Sequence, residues 1–157
     1  MNLVAYVEAP QDRWAVSEEA DRIHIHELIN LHGHLIDEAE FDRLDELFVE
    51  DVVYDVSALG GGQLKGAQAV ADAGRALGER NPLAHHVTNI ILTEINGDFA
   101  RARSKGFAIM MDGSTGSVVY EDELRRTSHG WRIAFRRVLP RRVPLAASGV
   151  APPDRSQ

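Results

Sequence analysis

Apolar residues recur at three- and four-residue spacings at Ile25, Leu28, Ile29, Leu35 and Ile36, with His32 in the same arc. This is one face of an amphipathic helix of roughly 18–20 residues. Ser17 stands before it as an N-cap, and Glu18, Glu19 and Asp21 suit its positive end. The pattern pauses at Asp37-Glu38-Ala39-Glu40. A short second helix follows, with Asp42 as its cap and Leu44, Leu47 and Phe48 as its apolar side. From Asp51 the period changes, and the β-branched run Val52-Val53-Tyr54-Asp55-Val56 predicts a strand. Gly60-Gly61-Gly62 ends it as a turn without the context of a phosphate-binding loop. Residues 66–79 are Ala-rich with a helical period and predict a third helix. After Asn81-Pro82 the pattern predicts strands near 84–95, 99–111, 117–127 and 131–139, broken at Asn96-Gly97-Asp98, Asp112-Gly113 and His129-Gly130.

Three helices followed by a run of strands predict an α+β fold, with the helices against one face of a curved sheet. Residues 1–16 read as an N-terminal arm, 17–140 as one domain, and 141–157 as a flexible tail rich in Pro, Ala, Ser and Gly. One strand speaks to shape. In Ala100-Arg101-Ala102-Arg103-Ser104-Lys105-Gly106, alternation puts four small residues on one face and three cations on the other. The space over the small residues is either filled by bulky neighbours or left as a cavity.

The length of 157 residues fits a single domain, and a hydrophobic content of 44% suffices to fill its core. A net charge of −7 argues against a general binder of nucleic acid or anionic membranes. The absence of cysteine excludes disulfides, thiolate metal sites and cysteine nucleophiles. The opening MNLVAYVEAP lacks a basic n-region and a long apolar stretch, and no apolar run approaches the ~20 residues of a membrane span. The expectation is a cytoplasmic protein without membrane or nucleic-acid partners.

Four of the seven histidines, His24, His26, His32 and His34, fall on the first helix, but neighbours two apart point about 200° from one another. No His-Glu-x-x-His pattern accompanies them, so no metal site is expected. In Leu83-Ala84-His85-His86-Val87-Thr88-Asn89, alternation groups His85, Val87 and Asn89 on one face and His86 and Thr88 on the other. The inward histidine is either a general base with a polar neighbour or a core histidine satisfied by a carbonyl. Asp37 falls opposite the apolar arc, at a point where the helix itself is ending. Tyr120 and Asp122 share a face with Val118 and Leu124, which either lines a pocket or meets solvent. The arginines from Arg125 to Arg142 alternate with Trp131, Ile133 and Phe135, ordinary strand patterning that needs no nucleic-acid partner.

The series Ile25-x-x-Leu28…His32-x-x-x-x-Asp37…Leu44-x-x-Leu47-Phe48-x-x-Asp51 resembles the SnoaL-like branch of the nuclear transport factor 2-like superfamily. His85-His86-Val87-Thr88-Asn89 and Tyr120-x-Asp122-x-Leu124…Gly130-Trp131-Arg132-Ile133 extend the resemblance over residues 18–139. It implies a cone-shaped α+β roll, with three N-terminal helices on a curved antiparallel or mixed sheet enclosing an apolar pocket. It also implies a homodimer or higher homo-oligomer. Within the superfamily the sequence is most similar to the dehydratase group of scytalone dehydratase, the bile-acid 7α-dehydratase and the hexachlorocyclohexane dehydrochlorinase. The Asp–His dyad of that group falls on Asp37 and His85, as the catalytic pair. His32 stands where several dehydratases have tyrosine. Tyr54 lies near the position of another pocket tyrosine. Arg136 falls where related enzymes place a pocket arginine, although alternation groups it with Arg132 and Ala134. With Asn89 and Tyr120, these three complete the expected substrate-binding set.

The resemblance implies a cofactor-independent lyase or isomerase, dehydratase-like, acting on a hydrophobic cyclic substrate such as a steroid, polyketide or aromatic intermediate. The alternatives are a polyketide cyclase or ketosteroid-isomerase-like enzyme, and a non-catalytic ligand-binding protein or dioxygenase β-subunit-like protein.

Overall fold

The computed structural model describes residues 18–141, so Ser17, the N-terminal arm and the tail beyond Arg141 lie outside the described residues. Helix α1 spans Glu18–Asp37, and a 3-10 helix covers Phe41–Glu46. Strand β1 spans Phe48–Asp55, β2 Gln63–Lys65, and helix α2 Ala67–Leu77. Four long strands follow: β3 Ala84–Asn96, β4 Phe99–Ile109, β5 Thr115–Thr127 and β6 Gly130–Arg141. They form one six-stranded sheet in the order β2-β1-β6-β5-β4-β3. Only β1 and β6 run parallel; the other neighbours are antiparallel. The fold is α+β, with the three helical segments packed on a curved, unclosed mixed sheet. No helix among the described residues is long and apolar enough to cross a membrane.

The apolar arc of α1 is its buried face: Ile25, Leu28, Ile29 and Leu35 join Trp131, Ile133 and Leu124 of the sheet in the core. Asp21 anchors the start of α1. It accepts two hydrogen bonds from Arg126 and one from the Trp131 indole, and the Arg126 guanidinium lies over the Trp131 ring. That Arg126 pairing holds the Asp21 carboxyl below the usual range. At its other end α1 stops in a Schellman motif. Glu40 N–H donates to Leu35 O, Ala39 N–H donates to Ile36 O, and Ala39 itself is left-handed at φ 56.

The strand pattern explains the small-residue face. Ala100, Ala102, Ser104 and Gly106 point inward, and Arg101, Arg103, Lys105 and Phe107 point out. The room over Gly106 is filled, because a Cβ there would sit 2.4 Å from the Tyr120 ring.

Three elements differ from the periodicity. Phe48, expected on a helix, begins β1, because the 3-10 helix ends at Glu46 and Ile133 N–H donates to Leu47 O. The three residues of β2 are too few to show a period. Strand β4 ends at Ile109 and β5 begins at Thr115, its pairing partner, so the turn between them lies two residues earlier than expected.

Candidate active site

Asp37 is the last residue of α1, and the Schellman turn that follows fixes its side chain toward β3. Its two oxygens divide their work. Oδ2 accepts the backbone N–H of His85 at 2.8 Å, and Oδ1 lies 2.6 Å from His85 Nδ1. A carboxylate only accepts, so Nδ1 carries the proton in the neutral ring and Nε2 is left as the basic nitrogen. Both side chains keep limited access to solvent, at 18% for His85 and 20% for Asp37. The contact depends on a close approach of helix and strand. A Cβ on Gly33 would meet His85 O at 2.5 Å, so only glycine fits there.

Behind the pair lies a buried polar cluster on the inner face. His32 is 3% exposed, 5.8 Å from the His85 ring and nearly perpendicular to it. The Tyr120 ring lies 5.8 Å from His32 on another side, and the Tyr54 hydroxyl is 3.4 Å from His32 Nε2. Burial, reinforced by the positive charge of Arg136, holds the His32 pKa well below the ordinary histidine value. Burial also pushes Tyr54 and Tyr120 above the ordinary phenol value. All three side chains are therefore neutral near pH 7.

Arg136 is fully buried and makes two 2.7 Å hydrogen bonds to Asp122, whose side chain is equally inaccessible. Burial works against the guanidinium charge, but the adjacent Asp122 outweighs it and raises the Arg136 pKa. The guanidinium also sits 4.5 Å over the Tyr120 ring. Three buried polar atoms lack a hydrogen-bond partner among the described residues: His32 Nδ1, Ser104 Oγ and Arg136 Nη1. Each comes from a residue whose side chain faces inward, on α1, β4 or β6.

Strict alternation misplaces two of the expected residues. Arg136 reaches the inner face because Ala134 is an extra residue: Leu124 pairs with Ile133 but Glu123 pairs with Phe135. This bulge reverses the parity of β6 after Ile133. Asn89 undergoes the opposite correction. It is left-handed at φ 51 within a register shift of β3, is exposed, and accepts a hydrogen bond from Thr88 Oγ1 rather than joining the face of His85. His86 points outward and stacks on Phe107. Asp122 and Ser104, outside the expected site set, belong to the cluster; the inward face shared with Tyr120 was the signal for Asp122.

The interior beside the dyad is more polar than an apolar pocket. Three surface clefts of about 520, 320 and 290 Å³ lie away from Asp37 and His85, two of them against the outer faces of β4 and β5. Among the described residues no group of three or more His, Asp or Glu side chains is arranged to hold a metal ion.

Residues 17–137 match the family model of the SnoaL-like domain. A protein of Mycobacterium tuberculosis described as uncharacterised is 32% identical over 128 residues, covering 78% of this chain and 86% of that relative. A solved nuclear transport factor 2-like protein with a cystatin-like fold from Novosphingobium aromaticivorans is 33% identical, with a TM-score of 0.65 over 82% of this chain and 86% of its own. A hexachlorocyclohexane dehydrochlorinase shares the fold at 21% identity and a TM-score of 0.68, over 86% of this chain and 95% of its own. With the model spanning most of its length, this chain belongs to the SnoaL-like domain family of the nuclear transport factor 2-like superfamily.

Proposed function

We propose that the protein is a dehydratase-like lyase in which His85, oriented by Asp37, removes a proton from carbon on a hydrophobic cyclic substrate such as a steroid, polyketide or aromatic intermediate. No cofactor takes part. The observation that carries this reading is the double contact of Asp37 with the backbone and the ring of His85. A histidine that only filled the core would not need a carboxylate fixing both its main chain and its tautomer.

In the proposed step His85 Nε2 takes the proton. The C–H electron pair becomes the new C=C bond, and the leaving group departs with its bonding pair. For a hydroxyl leaving group the same imidazolium returns the proton, so water is released and His85 is regenerated. Asp37 stabilises the imidazolium between the two transfers. Tyr120 and His32 are neutral donors that orient the substrate and stabilise negative charge as it develops, and Tyr54 and Arg136 hold them in place.

The test is a screen of hydroxylated steroids, polyketides and cyclohexadienols for loss of water, read by mass, with the wild type beside His85→Gln and Asp37→Asn. General acid–base catalysis of this kind contributes about 10²–10⁴-fold, so both variants should lose at least that much kcat. Turnover that survives in both removes the dyad from the mechanism.

A further inference from the structure

His32 is unusual among the interior residues in having one ring nitrogen placed against a hydroxyl and the other against nothing in the described protein. The Tyr54 oxygen lies 3.4 Å from Nε2, and the two ring planes differ by only 16°. At that distance an unprotonated Nε2 can accept the phenol proton. The Arg136 guanidinium also interacts with Tyr54, opposing the larger effect of burial on its pKa. A guanidinium has donors and no acceptor, so it attracts the phenol oxygen's lone pairs and leaves the phenol proton to turn away from it, toward His32. Asp122 holds Arg136 in that orientation through two hydrogen bonds. The direction of the chain Asp122–Arg136–Tyr54–His32 is thus set from its charged end.

If Nε2 accepts from Tyr54, the proton of a neutral imidazole must sit on Nδ1. That atom is buried and unpartnered among the described residues. An unmatched buried N–H is costly, and a ligand acceptor would remove that cost. The charges nearby are already matched, Arg136 by Asp122 and an imidazolium at His85 by Asp37. An anion would enter without a free counter-charge, so a neutral oxygen is favoured over a carboxylate.

We infer that Tyr54 is a positioning residue that fixes His32 as its Nδ1–H tautomer, and that this N–H is the donor for a neutral acceptor oxygen of the substrate. The tautomer is independent of the reading of His85 and Asp37; only the substrate contact rests on it.

The experiment is long-range ¹H–¹⁵N NMR of the full chain with ¹⁵N-labelled histidine, at a pH where the rings are neutral. His32 should show a protonated Nδ1 and a bare Nε2, and Tyr54→Phe should move it to a mixture or to the Nε2–H form. The His85 pattern should stay as in the wild type. A wild-type His32 protonated at Nε2, or a tautomer indifferent to Tyr54→Phe, overturns the assignment without touching the dyad. Titration with cyclohexanone should shift the His32 Nδ1–H resonance, whereas cyclohexanecarboxylate should leave it in place. Silence toward the ketone, or a larger response to the carboxylate, overturns the neutral-acceptor part. Loss of the dyad by the elimination assay, with the His32 pattern intact, would instead defeat only the proposed reaction.

Discussion

Gly33→Ala links packing to chemistry in a single methyl group. Alanine favours a helix over glycine by about 0.8–1 kcal/mol, so propensity alone makes this a stabilising change. Geometry opposes it. The new Cβ would lie 2.5 Å from His85 O, a backbone atom that cannot swing aside. Relief requires α1 and β3 to part by about 1 Å, and overpacking of this kind costs about 1–3 kcal/mol. The net effect is a loss of up to about 2 kcal/mol, readable by urea unfolding. The same displacement separates Asp37 from the ring it orients, and a misplacement of about 1 Å can cost about 10²-fold in rate. NMR of the His85 imidazole reads this without a substrate, as loss of its single Nδ1–H form. A variant that gains stability and keeps the wild-type His85 spectrum would refute the reasoning.

Three further outcomes follow from the cluster and its supports. Because the folded pKa of His32 is lowered, the unfolded chain binds its proton first, so stability is complete above the unfolded value near 6.5 and falls below it. The slope from this residue is about 1.4 kcal/mol per pH unit, and unfolding curves between pH 7.5 and 5 should be flatter in His32→Phe. Asp122→Asn leaves the buried Arg136 charge without its partner and should cost about 3–5 kcal/mol in chemical unfolding, with most of it regained when Arg136→Met is added. Ala39→Gly removes the penalty of a left-handed alanine and should raise stability by about 1 kcal/mol, read as an increase in Tm.

The helical arc was legible because it is long and periodic, and His32 was found through it. Asp37 was not, since a helical wheel fails in the last turn and the Schellman geometry at Ala39 uses no glycine that would announce it. Its proximity to His85 is a tertiary fact; the sequence could suggest it only through resemblance. Strand alternation recovered the inward face of β4 and grouped Tyr120 with Asp122 without deciding whether that face meets solvent, and it assumes an unbroken pleat. The Ala134 bulge turned Arg136 inward and the φ 51 backbone of Asn89 turned that side chain out. Both are single-residue insertions chosen by cross-strand pairing, and no local pattern marks them.

The central claim is that Asp37 holds His85 as an Nδ1–H base, and imidazole ¹⁵N NMR of the wild type and Asp37→Asn tests it most directly. Asp37 accepts from both the backbone N–H and the ring of His85, whereas asparagine offers one acceptor and one donor. If the amide oxygen keeps the backbone N–H, its NH₂ faces Nδ1 and forces the proton onto Nε2. The account therefore predicts a protonated Nδ1 in the wild type and a switch toward the Nε2–H form in the variant. A wild-type His85 protonated at Nε2, or a spectrum the substitution leaves unchanged, would contradict it.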